Sequence, residues 1–276
     1  MSNTKQRRQQ RGQVGTGSGK KDDEIQNSLA NISRVLNRVA AVYHQCFCED
    51  PRALEYLMKR GISNNAIFSD YKIGYSNGTL LNMIPGQGDI CEALKETGII
   101  EGQEKERFYN CVVFPVFDEN RDCVGLYGRR IGDGEPAHVS LSGLPKGVFN
   151  HQAVKRSNTI ILTESIIDTL TLINAGICNV VPCYGADGLT EEHLELFRRH
   201  STRKVFVCFG QDGLAQQGAK KIMQRLKDAV KISAKNIILP SLATIIGRLD
   251  INQFFLAEPD ARAILERLLR DDDLSA

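Results

Sequence analysis

Across its 276 residues the sequence has no apolar stretch that approaches the ~20 residues needed to cross a bilayer, so no membrane partner is expected. The first residues are polar and basic and lack the apolar core of a secretory signal, which points to a cytoplasmic protein. A C-x-x-C pair is also missing. Cys46 and Cys48 form a C-x-C with no second pair nearby, so no zinc is expected in this chain. The cysteines in apolar runs, such as Cys111, Cys123, Cys178, Cys183 and Cys208, read as buried thiols of a reducing compartment. Bulk charge is small as well. The whole chain is +2 and residues 1–21 carry six basic side chains and no acidic one, which leaves −4 for residues 22–276. Affinity for nucleic acid must therefore come from a local groove or from the tail. What is present is ordinary globular composition, 42% hydrophobic and 25% charged, in a chain long enough for two domains.

Residues 1–21, rich in Gln, Arg, Gly and Ser, read as a disordered basic tail. A helix follows, with Ile25, Leu29, Ile32, Leu36, Val39, Tyr43 and Cys46 recurring at steps of three and four on one face. Shorter helices are expected over 51–60 and 63–70, the first ended by Gly61. The apolar runs 109–117 and 122–131 flank Asp118-Glu119-Asn120-Arg121 and predict a hairpin. From residue 158 short apolar runs alternate with helical segments: TIILT, then 165–175; NVVPC, then 190–200; KVFVCF, then 214–230; NIILP, then 258–270. Continuous apolar strands alternating with helices predict a parallel, Rossmann-like sheet covered on both faces.

Ligands of such sheets bind beyond the carboxyl ends of the strands. Glu164 follows TIILT, Asp168 lies one helical turn later, Asp212 follows KVFVCF, and Asp250 sits in G-R-L-D-I-N after the fourth run. Carboxylates converging at one sheet edge suit a hard divalent cation, Mg²⁺ or Mn²⁺, and through it phosphates.

The stretch from Thr163 to Asp168 resembles the first signature of the TOPRIM family, E-G-x-x-D after a strand, and Cys208 to Gly213 resembles the second, D-x-D. Asn174-Ala175-Gly176-Ile177 and the run Tyr184 to Leu189 are similar to that family's Q-A-G-I and L-G-T segments. Upstream, residues 53–63, 73–78, 107–134 and 144–150 resemble the N-terminal half of the DnaG-type bacterial primase core. The resemblance implies an α/β protein: a basic tail (1–21), a primase-like N-terminal α+β subdomain (22–156) and a Rossmann-like TOPRIM domain (157–276) with a parallel sheet flanked by helices. It further implies DNA-templated RNA primer synthesis from ribonucleotides on single-stranded DNA. Glu164 would be catalytic, with Asp168, Asp212 and more weakly Asp250 as metal ligands, and Arg107, Arg129, Arg130 and Lys146 beside the nucleic acid.

The chain departs from the family's pattern at four places. Gly210 stands where the first Asp of D-x-D is expected, which predicts weak metal binding and low or Mn²⁺-dependent activity. The zinc-ribbon and helicase-docking modules are not found in the sequence, so a separate zinc-finger or helicase protein is an expected partner. Residues 137–143 are a shortened, altered version of a K-Y-x-N-S-P-E-T-like run, with Ala137 at a template-contacting lysine. The stretch Leu242 to Ile246 is more apolar than its counterpart. Two other readings stand beside the enzyme: a catalytically weak or inactive TOPRIM accessory protein of DNA replication or mobile-element maintenance, and a TOPRIM nuclease or strand-passage fragment, which would leave the upstream half unexplained.

Overall fold

The computed structural model describes residues 17–83, 89–102, 105–141, 147–185, 187–242 and 249–271, with side chains described from Ala30 to Arg270 within those spans, Asp89 excepted. The N-terminal half runs α1 (Gly17–Glu49), α2 (Pro51–Lys59), α3 (Asn65–Asp70), β1 (Gly74–Ser76), α4 (Leu80–Met83), α5 (Asp89–Glu96), β2 (Ile100–Glu101), β3 (Lys105–Glu106), β4 (Cys111–Phe117), β5 (Cys123–Arg130) and β6 (His138–Ser140). The C-terminal half runs α6 (Gln152–Arg156), β7 (Thr159–Thr163), α7 (Ile166–Asn174), β8 (Val180–Pro182), α8 (Glu191–Arg199), β9 (Lys204–Cys208), α9 (Gly213–Val230), β10 (Ser233–Asn236), α10 (Ile251–Ala257) and α11 (Ala261–Asp271).

The first half is built on an antiparallel sheet of order β1-β4-β5-β6, with β4 and β5 forming the expected hairpin. Side chains of a strand alternate between faces, and β4 uses both. Cys111 and Val113 enter a core with Leu36, Val39 and Tyr43 of α1 and Leu94 of α5. Val112, Phe114 and Val116 enter a second core with α2 and α3. Helix α1 lies so close to β1 that a Cβ on Gly74 would come within 2.7 Å of Tyr43 Cβ. Beneath it the buried carboxylate of Glu106 accepts from Ser76 Oγ at 2.6 Å, the Leu80 amide at 2.8 Å and Tyr43 Oη at 3.4 Å. A carboxylate removed from water needs such partners, because unpaired burial costs several kcal/mol, on the order of the cost of breaking a buried pair.

The second half is a parallel sheet of order β10-β9-β7-β8. Ile160 and Leu162 of β7 face α8 and α9, together with Val205 and Val207 of β9. Ile161, Phe206 and Cys208 face α10 and α11 on the other side. The continuous apolar runs of the sequence therefore reflect burial on both faces.

Several expectations shift. The helix begins at Gly17, inside the segment read as tail. The fourth strand is Ser233–Asn236, ending at the first residue of NIILP, and Ile237 and Leu239 are buried beyond it. An edge strand pairs on one side only and needs no apolar run of its own. Helix α10, with a capping box between Asp250 and Gln253, was not anticipated, and the last helix starts at Ala261 rather than 258. Seven residues are too few to show a helical period, although the D-x-x-Q start was readable. Cys178 is exposed, as is Cys48, while the other six cysteines are buried.

Three asparagines tie the halves together. Asn150 donates to the carbonyls of Cys178 and Val180 and accepts from Tyr71 Oη. Asn174 accepts from the Ser63 and Asn64 amides and donates to the Gly61 carbonyl. Asn252 donates to the Arg60 carbonyl at 2.7 Å and Thr171 Oγ1 at 2.8 Å. Around them Ile166, Ile167 and Leu170 of α7 join Phe114 and Phe149 in one core. The sheet edge carrying Glu164 is thereby fixed against β5 and β6.

Candidate active site

The turn after β7 is shaped by a division of labour. Ser165 caps α7, accepting from the Asp168 amide at 3.1 Å while its hydroxyl donates to Asp168 Oδ2 at 2.7 Å. Asp168 Oδ1 accepts from the Asn252 amide at 3.1 Å. The carboxyl is 4% exposed and is pushed up to about 7, first by burial, then by the charge of Asp250 and last by Glu164. Asp168 and Asp250 line one cleft of about 320 Å³ with Tyr56, Arg60, Tyr127, Arg129, His138, Ser165 and Gln253. A second cleft, of about 400 Å³, is lined by Glu164 and by Tyr127, His138, Ser165, Tyr184 and Gly185. Tyr184 holds a left-handed φ of 54° and its hydroxyl accepts from the Phe149 amide. The Gly185 amide donates to the Glu164 carbonyl at 2.8 Å. At Gly188 a Cβ would stand 1.7 Å from the Cys183 carbonyl oxygen, so this loop admits only glycine there.

Asp212 is placed differently. It is the N-cap of α9, with Oδ1 accepting from the Ala215 amide at 2.9 Å, and it lines neither cleft. Gly210 is buried, and its carbonyl accepts from Gln216 Nε2 at 2.9 Å. Among the described residues no group of three or more His, Cys, Asp and Glu stands ready to hold a metal ion. The donor set that does converge is Asp168 with Asp250, and Glu164 near them. Two carboxylates fit a Mg²⁺-like ion, which keeps several waters and takes further oxygens from substrate phosphates.

The basic residues separate as well. Arg129 lines the Asp168 cleft, donating from Nε to Tyr56 Oη at 3.4 Å and from Nη1 to His138 Nε2 at 2.6 Å. Arg107 is engaged with the Ser140 carbonyl and, in an ion pair, with Glu101. Arg130 is tied to the carbonyls of Pro136 and Tyr109. Neither lines a cleft that holds the carboxylates. Lys146 lies outside the described residues. The sequence reading did not single out Ser165, Tyr127, His138 and Tyr184. Ser165, directly before an apolar helix, carried a readable capping signal; the other three gave none, because long-range packing brings them in.

Residues 42–139 match the family "DNA primase catalytic core, N-terminal domain", and residues 161–255 match a Toprim-like family. A DNA primase of Listeria monocytogenes is 25% identical over 237 residues, covering 78% of this chain and 37% of that protein. One of Clostridium acetobutylicum is 29% identical over 196 residues, covering 64% and 32%. The chain thus spans about a third of these relatives. The Aquifex aeolicus primase, solved with its zinc-binding and RNA polymerase domains, superposes with a TM-score of 0.74 at 24% identity, covering 87% of this chain and 60% of that one. A DnaG primase catalytic domain bound to single-stranded DNA gives 0.74 at 19% identity, covering 89% and 80%. These structures establish a shared fold, and cores of this kind generally use divalent metals. The chain thus joins, in order, a region of the DNA primase catalytic core N-terminal family and a Toprim-like region, in the architecture of DnaG primase catalytic cores.

Proposed function

We propose that this chain is a primase core that joins ribonucleotides on a single-stranded DNA template. The observation that carries the reading is the junction of the two halves. Glu164, Asp168 and Asp250 sit at the carboxyl edge of the parallel sheet, and Arg129 from the antiparallel sheet lines the same cleft as Asp168 and Asp250. In the reaction a 3′-hydroxyl attacks an α-phosphorus, a new P–O bond forms, and pyrophosphate leaves. Glu164 receives the hydroxyl proton, and Arg129 binds phosphate oxygens. A divalent ion held by Asp168 and Asp250, Mg²⁺ or Mn²⁺, would supply charge neutralisation at those oxygens. Residues 22–156 form the template-facing subdomain and 157–276 the metal-binding one, with the tail of residues 1–21 adding sequence-independent affinity for phosphates. A separate zinc-finger or helicase protein supplies template selection, and the cytoplasm is the site of action.

The test is primer synthesis on single-stranded DNA with four ribonucleotides and Mg²⁺ or Mn²⁺, with and without Gly210→Asp. Low, Mn²⁺-favoured synthesis that rises in the variant is expected. A variant that binds metal more tightly yet makes no primer would instead favour the accessory-protein reading.

A further inference from the structure

Arginine carries only donors. The Arg129 Nη1 at 2.6 Å from His138 Nε2 therefore makes that nitrogen an acceptor. His138 is then the neutral tautomer protonated on Nδ1, and this N–H donates to the Tyr127 hydroxyl oxygen. Tyr127 keeps its own O–H to donate, and it lines the cleft that holds Glu164, Ser165 and Gly185. On the other side, Arg129 is braced by Tyr56 and lines the cleft that holds Asp168 and Asp250. His138 is exposed and lines both clefts.

We infer that Tyr127, His138 and Arg129 form a phosphate-orienting relay. His138 is the positioning residue, a neutral bridge that fixes guanidinium and hydroxyl relative to each other. The two outer groups then offer donors to oxygens of one phosphate chain, Arg129 from the Asp168 side and Tyr127 from the Glu164 side. A cation at position 138 would repel Arg129, and an apolar side chain would release both partners. The ligand class is a phosphorylated one, and, resting on the primase reading, the triphosphate of the incoming nucleotide. Nucleic-acid backbone phosphates share this chemistry, so both ligands are probed.

Binding of ATP with Mg²⁺ is measured by calorimetry, and binding of a single-stranded oligodeoxynucleotide by fluorescence anisotropy. The proteins are wild type, Tyr127→Phe, His138→Ala, His138→Gln, Arg129→Ala and the His138→Ala/Arg129→Ala double variant, each checked for native circular dichroism. Tyr127→Phe and His138→Ala should each weaken ATP about tenfold, or about 1.4 kcal/mol. His138→Gln, which can accept from Arg129, should recover part of the loss. His138→Ala should cost less in the Arg129→Ala background than in the wild type, because only the Tyr127 side of the bridge is then left to release. In primer synthesis, KM for ribonucleotides should rise more than kcat falls. The same coupling on the oligonucleotide alone assigns the relay to template phosphates. Additive losses on both ligands overturn it. If coupling persists while the wild type makes no primer, the relay stands and the primase reading falls.

Discussion

The strand ends of β7 and β9 each lead into a helix through an acidic motif, but they spend their carboxylates differently. After β7, Ser165 caps the helix and Asp168 lines a cleft together with Asp250. After β9, Asp212 does the capping itself, and Gly210 brings no carboxylate. A helix start must satisfy its first amides. Capping alone does not decide the outcome, since Asp250 caps α10 and still lines the Asp168 cleft, whereas Asp212 caps α9 and lines neither cleft. The first TOPRIM-like junction places its carboxylates on the clefts, and the second places its one carboxylate away from them, at a helix start.

The largest effect should come from the first junction. Glu164→Gln should lower primer synthesis by about 10²-fold or more with circular dichroism unchanged; full activity in this variant would move the chemistry away from β7. Next is the pH response of the metal-free protein. The Asp168 carboxyl, raised to about 7, keeps a proton in the folded state that the unfolded chain releases near the usual carboxylate value. Its stabilising contribution is present below that value and is lost as pH rises toward 7, on the order of a few kcal/mol. Thermal melts in chelator at pH 5 and pH 8 should show this loss in the wild type and a flatter response in Asp168→Asn.

A smaller effect tests what the second junction lacks. Gly210→Asp should tighten Mg²⁺ about tenfold in calorimetry, since affinity follows ligand charge count. No change would mean that the β9 end lies too far from the ion to contribute. The smallest effect separates cap from ligand. Asp212→Ala should cost about 1 kcal/mol of stability, and Asp212→Ser, which still caps, less than about 0.5 kcal/mol. If Asp212→Ser loses as much metal affinity as Asp250→Asn does, the contrast between the junctions collapses and Asp212 is a ligand.

Much of this was readable in one dimension. The α1 stripe from Leu36 to Cys46 is buried as its spacing required, and the β4–β5 hairpin pairs around Asp118–Arg121. The runs holding Ile160 to Leu162 and Val205 to Cys208 are strands buried on both faces. The edge strand β10 was misplaced because its apolar neighbours Ile237 and Leu239 are buried without pairing as strand. At the site, Glu164 and Asp168 were visible as acids following a strand. That Asp250 would be the stronger partner of Asp168 was not visible, since 82 residues and several elements separate the two.

Sequence by itself determined the long helix α1, the β4–β5 hairpin and the central strands of the parallel sheet, because period and capping are local, and it placed acids at the carboxyl edge of that sheet. Only the tertiary structure decided how those acids are used. Asp168 becomes a partly neutral group because burial and then the charge of Asp250, set against it by α10, favour its proton over the opposing pull of Ser165 and the Asn252 amide. Arg129 faces the carboxylates, while Arg107 and Arg130 are consumed by carbonyls and an ion pair. His138 gains a role because β6 lies beside β5 and opposes it to Arg129 in register. Desolvation and charge proximity depend on distances between elements remote in the chain, and the order of residues along the chain does not fix those distances.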